Sequence, residues 1–272
     1  FAKNGDDTSF ESTHTWGRTG PWEQRIREEC EAVRDDVGVL DLPGFSRYEI
    51  SGENSDEFLD KLITGSLPKV GSLNLAYFSD ERGRIVTEMS IIRHAEKSFT
   101  LITAAAAQWH DLELLKSNVL SGMDVKIVDK GENFSTFIVT GPNSRGLLSE
   151  ITDADLTLGW LTHQKAKVLD IPCMLARVSF AGELGWEIHV NNEKAPAIYS
   201  EIINKEAKPF GMFALNSLRI EKGYKAWKGD LSTDYSLLEA GLDRFIKFDK
   251  EVDFRGKKAL QVERQRGSKK LF

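Results

Sequence analysis

The stretch FSRYEISGENSDEFLDKLI, residues 45 to 63, returns in outline 89 positions later as FSTFIVTGPNSRGLLSEIT, residues 134 to 152. A chain that writes one pattern twice must fold two equivalent units, which limits its architecture more than its composition does. In each copy an alternating apolar run (Tyr48, Ile50; Phe137, Val139) leads to Ser51-Gly52 or Thr140-Gly141 and then to Asn54-Ser55 or Asn143-Ser144. This reads as strand, tight turn and helix N-cap. The next apolar positions, Phe58, Leu59 and Leu62 against Leu147, Leu148 and Ile151, share one helical face in both copies. The phrase S/T-G-x-N-S alone is a common capping phrase, but the match continues. RIVTEMSIIR and SFTLITA form a hairpin followed by the helix AAQWHDLELLKSNVL, and CMLARVSFAG and GWEIHV form another followed by the helix KAPAIYSEIIN. The expected fold is therefore α+β: duplicated ferredoxin-like β-α-β-β-α half-domains with mainly antiparallel sheets. The expected divisions are an N-terminal segment with a helix over 1–44, repeat halves over 45–133 and 134–240, and a C-terminal segment over 241–272.

Two facing half-domains leave a crevice where ligands bind, so polar residues on its strands are the candidates. In DERGRIVTEMSII, Ile85, Thr87, Met89 and Ile91 share one strand face, and Val86, Glu88, Ser90 and Ile92 the other. Glu88 is either a solvated acid on a half-exposed strand or a carboxyl with a raised pKa suited to proton transfer. In FAGELGWEIHV, Trp186 and Ile188 point one way and Glu187 and His189 the other. His189 has no acid or cysteine at triad or ligand spacing and reads as a structural or surface residue.

Composition narrows the function class. With 40% hydrophobic and 29% charged residues, the chain is of ordinary globular type. A net charge of -6 argues against a nucleic-acid partner. No run of apolar residues is long enough to span a membrane, and no basic-then-apolar leader opens the chain. Cys30 and Cys173 are the only cysteines and lack ligand spacing, so neither a disulfide framework nor a metal site is expected. Nucleotide, metal and serine-hydrolase fingerprints are absent. The chain opens with FAKNGDD, without Met, which fits a piece of something longer.

The phrases GVLDLPGFSRYEISGENSDEFLDKLIT, GRIVTEMSIIR, VTGPNSRGLL, SFAGELGWEIHV, ALNSLRIEKGYKAWKGDL and LLEAGLDRFIKFDKEVDFRGKKAL occur in an order that resembles the folate-dependent aminomethyltransferase family, typified by the T-protein of the glycine cleavage system. The resemblance runs over residues 22 to 262, and LNSLRIEKGYKAW looks closer to the aminomethyltransferase-like half of dimethylglycine and sarcosine dehydrogenases. It implies tetrahydrofolate bound in a central cavity between the halves and transfer of an iminium or aminomethyl carbon to it, giving 5,10-methylenetetrahydrofolate. The resemblance further implies a methylated amine as substrate and a flavin oxidase domain in cis that carries FAD, which this segment itself is not expected to bind. The family usually adds a small C-terminal β-barrel, which is expected to follow the segment over 241–272. The family's catalytic acid falls on Glu88, one methylene longer than the usual Asp, with Thr87 in place of a preceding acid. Glu187 falls on the acid that accepts the pterin's N–H groups, and Phe180 on a ligand-packing tyrosine. Arg219 serves the folate or pairs with Glu221 or another acid, Trp227 is an aromatic wall or core, and Leu215 replaces a folate-contacting arginine. The alternatives are a folate-dependent demethylase without a flavin domain and a non-catalytic module of the same fold. The compartment implied is the cytoplasm, or the mitochondrial matrix in a eukaryote.

Overall fold

The structure, a computed structural model, describes residues 20, 22–42 and 44–270; the opening FAKNGDD lies outside the described residues. In chain order the elements are α1 (Glu23–Asp35), β1 (Gly38–Asp41), β2 (Phe45–Ser51), α2 (Ser55–Leu62), β3 (Leu73–Ser79), β4 (Ile85–Ala95), β5 (Ser98–Ala104), α3 (Gln108–Ser117) and β6 (Lys126–Asp129). They continue with β7 (Phe134–Thr140), α4 (Ser144–Ser149), β8 (His163–Val168), β9 (Ile171–Ala176), β10 (Gly185–Asn191), α5 (Ala195–Asn204), β11 (Lys208–Pro209), α6 (Met212–Glu221) and α7 (Lys257–Arg266). The chain separates into two compact units, one of residues up to 42 with 135–160 and 164–224, the other of 44–134, 161–163 and 225–270.

In the second unit the sheet order is β3-β4-β5-β2-β6, with antiparallel neighbours throughout. One face carries Tyr48, Ile50, Met89, Ile91, Phe99 and Leu101, packed against Phe58 and Leu59 of α2 and Leu115 of α3. At the β3–β4 edge a second cluster joins Tyr77 and Ile85 to Leu237, Leu238, Leu242, Phe254 and Leu260. In the first unit the order is β11-β1-β7-β10-β9-β8. Val39, Phe137, Val139, Leu175, Trp186 and Ile188 pack there against Leu147 and Leu148 of α4 and Ile198 and Ile202 of α5. The fold is α+β with two mostly antiparallel sheets, as the duplicated pattern predicts.

The order β3-β4-β5-β2 matches β8-β9-β10-β7 strand for strand, so the repeat in sequence is a repeat in topology. The units differ beyond β7, where β1 takes the neighbouring place and the repeat's own last strand, β11, pairs in parallel outside it. The sheets have six strands in the first unit and five in the second, where the expected β-α-β-β-α pattern has three. β3 shows little polar alternation because five of its seven residues are buried, and the mainly polar β8 has only Val168 buried.

The doubled phrase has a backbone cause that the capping reading misses. Gly52 and Gly141 adopt φ of +118° and +128°, and a Cβ at either would lie 2.3 Å from a backbone carbonyl oxygen, of Asp124 or Asp36. Only glycine permits that approach. The asparagines, expected as helix caps, make no cap bond to α2 or α4. Instead the Asn54 side chain accepts from the Asp124 backbone N–H at 2.9 Å, and Asn143 donates to the Asp36 carboxylate at 3.0 Å. Both tie the strand-to-helix turn to a neighbouring chain segment.

Candidate functional site

In the second unit the site centres on β4. Its alternation buries Ile85, Thr87, Met89 and Ile91 and leaves Val86, Glu88 and Ser90 half-buried on the opposite face. Glu88 stands directly across the ladder from Tyr77 of β3. Glu88 as a residue is half-buried, but its Oε2 is shut off from solvent and has no hydrogen-bond partner. Burial is the largest influence on this carboxyl; the Tyr77 hydroxyl and the Trp227 backbone N–H oppose it, the Asp230 charge adds to it, and the net effect pushes the group up to about 7. A carboxyl poised there can give and take a proton near neutral pH. Of the two readings of Glu88, the geometry supports the raised pKa.

Trp227 belongs to this surrounding. It packs against the Tyr77 cluster, its backbone bridges to Leu231, and the Lys228 ammonium lies 5.1 Å from its ring centre. Thr87 faces away from Glu88 into the core. With Thr103 it bonds the carboxylate of Asp111, at 3.2 and 2.6 Å, and His110 Nδ1 stands 2.9 Å from the same side chain. Asp111 is fully buried, and sequence reasoning missed it because nothing in the local pattern of α3 marks the threonines of β4 and β5 as its partners.

In the first unit the loop from β9 to β10 carries Phe180, which stacks on Tyr224 at 6.1 Å with planes 13° apart. Arg219 of α6 is 6% exposed, lies 6.0 Å from the Phe180 ring centre, and donates to Asn216 and to the Tyr224 carbonyl. Glu221, the acid considered as its partner, pairs with Arg34. Leu215 is 2% exposed, so that position serves the core. Beside this stack lies a cavity of about 320 Å³ lined by Trp160, Arg177, Ser179, Gly182, Glu183, Leu184 and Tyr224.

Glu187 lies on β10 opposite Ala176 of β9, and its side chain retains 15% of its exposure. His189, set aside for want of a partner acid, has one in Glu187: its Nε2 is 3.1 Å from Oε2 of that residue, and its Nδ1 is 3.1 Å from the Thr136 hydroxyl. Their shared strand face was the available signal, since residues two apart on a strand are neighbours.

The structure thus brings Glu88 together with Trp227 in one unit, and Phe180 with Arg219 in the other, which also holds the Glu187–His189 pair. Among the described residues no group of three His, Cys, Asp or Glu side chains could hold a metal ion, and no helix is long and apolar enough to cross a membrane. Both cysteines are buried thiols, and burial pushes Cys173 up to about 11.

The fold is a duplicated α+β one that carries Glu88 on a strand of one unit and Glu187 on a strand of the other. The family follows from comparison. Residues 2–250 match the GCVT N-terminal domain model, and the chain belongs to that family, an enzyme family of aminomethyltransferase type. The mitochondrial dimethylglycine dehydrogenase of Rattus norvegicus is 35% identical over 278 residues, covering 99% of this chain and 32% of that protein. The aminomethyltransferase of Listeria innocua is 29% identical over 248 residues, covering 89% of this chain and 67% of that one. The chain therefore spans about a third of the dimethylglycine dehydrogenases it matches. The glycine cleavage system aminomethyltransferase T of Bartonella henselae shares the fold, with a TM-score of 0.79 at 22% identity, covering 92% of this chain and 68% of that one.

Proposed function

We propose that this chain is a tetrahydrofolate-dependent one-carbon transfer module with Glu88 as its proton-handling group. The observation that carries the reading is the Glu88 carboxyl, whose Oε2 is closed off and unpartnered on a strand face it shares with Val86, Ser90 and Ile92. The fit to a reduced pterin rests on complementary chemistry: its amino and ring N–H groups are donors, and Glu187 offers carboxylate oxygens. Phe180 and Tyr224 offer aromatic faces for its rings, and Trp227 flanks Glu88.

When bound, tetrahydrofolate supplies the amine nitrogen that takes up the one-carbon unit. The residues divide the remaining work. Glu88 accepts the proton that the amine must lose, because its ordinary pKa is raised to about 7 by desolvation. Glu187 fixes the orientation of the ligand's donor edge. Arg219 acts at one remove, bracing the Tyr224 backbone beside Phe180.

The relation to dimethylglycine dehydrogenases, which extend well beyond the matched region, supports placing this module in a longer enzyme that demethylates an N-methyl amino acid with a flavin domain in cis. The mitochondrial relatives favour the matrix as its compartment in a eukaryote.

The test is calorimetric titration of this chain with tetrahydrofolate under anaerobic, reducing conditions. Saturable binding that Glu187→Ala abolishes and Glu88→Gln retains, with one-carbon transfer lost in Glu88→Gln, is the expected result. Absence of binding by the unaltered chain overturns the folate reading and favours a non-catalytic module.

A further inference from the structure

Two cations of the first unit stand over one indole ring with no acid to answer them. Glu187 of β10 pairs with Ala176 of β9, so the adjoining Trp186 and Arg177 turn to the opposite side of the sheet. Trp186 packs there with Leu147 and Leu148 of α4, and the guanidiniums of Arg177 and Arg145 lie 4.8 and 5.9 Å from its ring centre. The ring attracts both, but the two like charges repel each other. Burial first, and then the Arg145 charge, lower Arg177 from its ordinary value. The Arg177 Nε is shut off from solvent without a hydrogen-bond partner, and Nη1 reaches only the Gly185 carbonyl, at 3.5 Å, the outer limit of such a bond. The acids that accompany these arginines are taken: Glu183 by Lys222 at 3.0 Å, and Glu150 by Lys205 at 2.7 Å.

Arg177 lines the cavity of about 320 Å³, together with Trp160, Ser179, Glu183 and Tyr224. That volume suits a small organic ligand, and Trp160 and Tyr224 give it aromatic walls. We propose that Arg177, with the charge of Arg145 added to its own, forms a carboxylate-binding subsite of this cavity. A guanidinium fork matches a carboxylate with two parallel hydrogen bonds, and the incoming charge is the one the arginine pair lacks. Two sources of carboxylate suit the site. One is the glutamyl tail of a folate whose rings lie on the Phe180–Tyr224 stack, because Tyr224 belongs both to that stack and to the cavity wall. The other is a free N-methyl amino acid. Only the first source rests on the folate reading; the subsite does not.

Nitrogen-15 NMR of arginine side chains tests it, with the Arg177 Nε–H signal identified by its loss in Arg177→Met. The probes are tetrahydrofolate, 6-methyltetrahydropterin, which has no glutamyl tail, and N-methylglycine. A saturable shift of that signal with tetrahydrofolate but not with the tailless pterin supports the folate tail as occupant. A saturable shift with N-methylglycine, with Kd below about 1 mM, supports the free amino acid. A signal unmoved by all three probes, or moved equally by tetrahydrofolate and the tailless pterin and not by N-methylglycine, overturns the proposal. A shift with N-methylglycine in a chain that binds no tetrahydrofolate overturns the folate reading alone. In calorimetry with the probe that moves the signal, Arg177→Met is expected to lower affinity on the order of tenfold or more, and Arg177→Lys, a point charge without the fork, to lower it less. Affinity unchanged in Arg177→Met means that the arginine only packs on Trp186, and overturns the proposal. Should Arg177→Met not fold, Arg145→Met, at an exposed position, is expected to weaken binding several-fold at low salt and to flatten its salt dependence. Unchanged affinity and salt dependence there overturn it.

Discussion

Tyr77 and Glu88 occupy directly opposed positions in the β3–β4 ladder, and the tyrosine, 1% exposed, sets a phenol hydroxyl against the acid. The pairing shapes both groups. Burial first, and then the neighbouring Glu88 charge, drive the Tyr77 hydroxyl well above its usual range, so it remains a neutral donor at any working pH. Glu88 meanwhile retains an oxygen that no protein group satisfies. A buried acceptor left in that state costs stability, which is tolerable where function requires it.

That cost has a pH signature. The folded carboxyl titrates at about 7 against an ordinary 4.5, so the folded chain holds this proton more tightly than the unfolded chain. The associated stability is fully present below about pH 4.5 and is lost as pH rises through 7. By linkage this amounts to about 3 kcal/mol. Urea denaturation of the unaltered chain and of Glu88→Gln at pH 5 and pH 8.5 is expected to show the glutamine variant losing less stability between the two. Parallel behaviour contradicts the assignment of the raised pKa.

Lys250 is another buried charge with a defined task. Its ammonium donates to the carbonyls of Asp60, Ile63 and Gly65 at the end of α2 and lies 3.0 Å from the Asp60 carboxylate, with its side chain only 8% exposed. Lys250→Met strands those acceptors and is expected to destabilise the chain by about 2–4 kcal/mol. Lys250→Arg recovers little, since a planar guanidinium cannot direct donors as a compact ammonium does. Thermal denaturation of the two variants checks both statements.

Gly52→Ala and Gly141→Ala are expected to behave alike, because each combines a positive φ with a Cβ 2.3 Å from a carbonyl oxygen. Each should lower stability by about 2 kcal/mol or more in urea titrations. A mild effect at either position would show that the two copies of the turn are not equivalent.

Asp111→Asn tests the buried network behind Thr87. It turns an acceptor-only side chain into one that sets a donor among the hydroxyls of Thr87 and Thr103, and a loss of about 2–3 kcal/mol is expected. Tetrahydrofolate affinity, measured where the variant is folded, should be unchanged, since the group faces the core and not Glu88.

How much of this was legible in the sequence depends on the distance over which each feature is encoded. Alternation within β4 separated Thr87 from Glu88, and alternation within β10 put Glu187 and His189 on one face, because a strand repeats every two residues. The capping phrase placed both helix starts correctly, at Asn54 and Asn143, but not the bonds of those side chains, which go to Asp124 and Asp36, remote in sequence. β3 escaped because burial on both faces erases alternation, and with it went Tyr77, the residue that completes the surroundings of Glu88.

The sequence by itself determined the duplication, the α+β class, the strand faces and the positions of the two candidate carboxylates. All follow from periodicity and from backbone rules that act over a few residues. Only the tertiary structure decided that Tyr77 stands opposite Glu88, that Thr87 serves Asp111, that Arg219 braces Tyr224 while Glu221 pairs with Arg34, and that β1 takes a place beside β7. These depend on strand register and on desolvation. Both are set when distant segments pack together, and neither leaves a local mark in the chain.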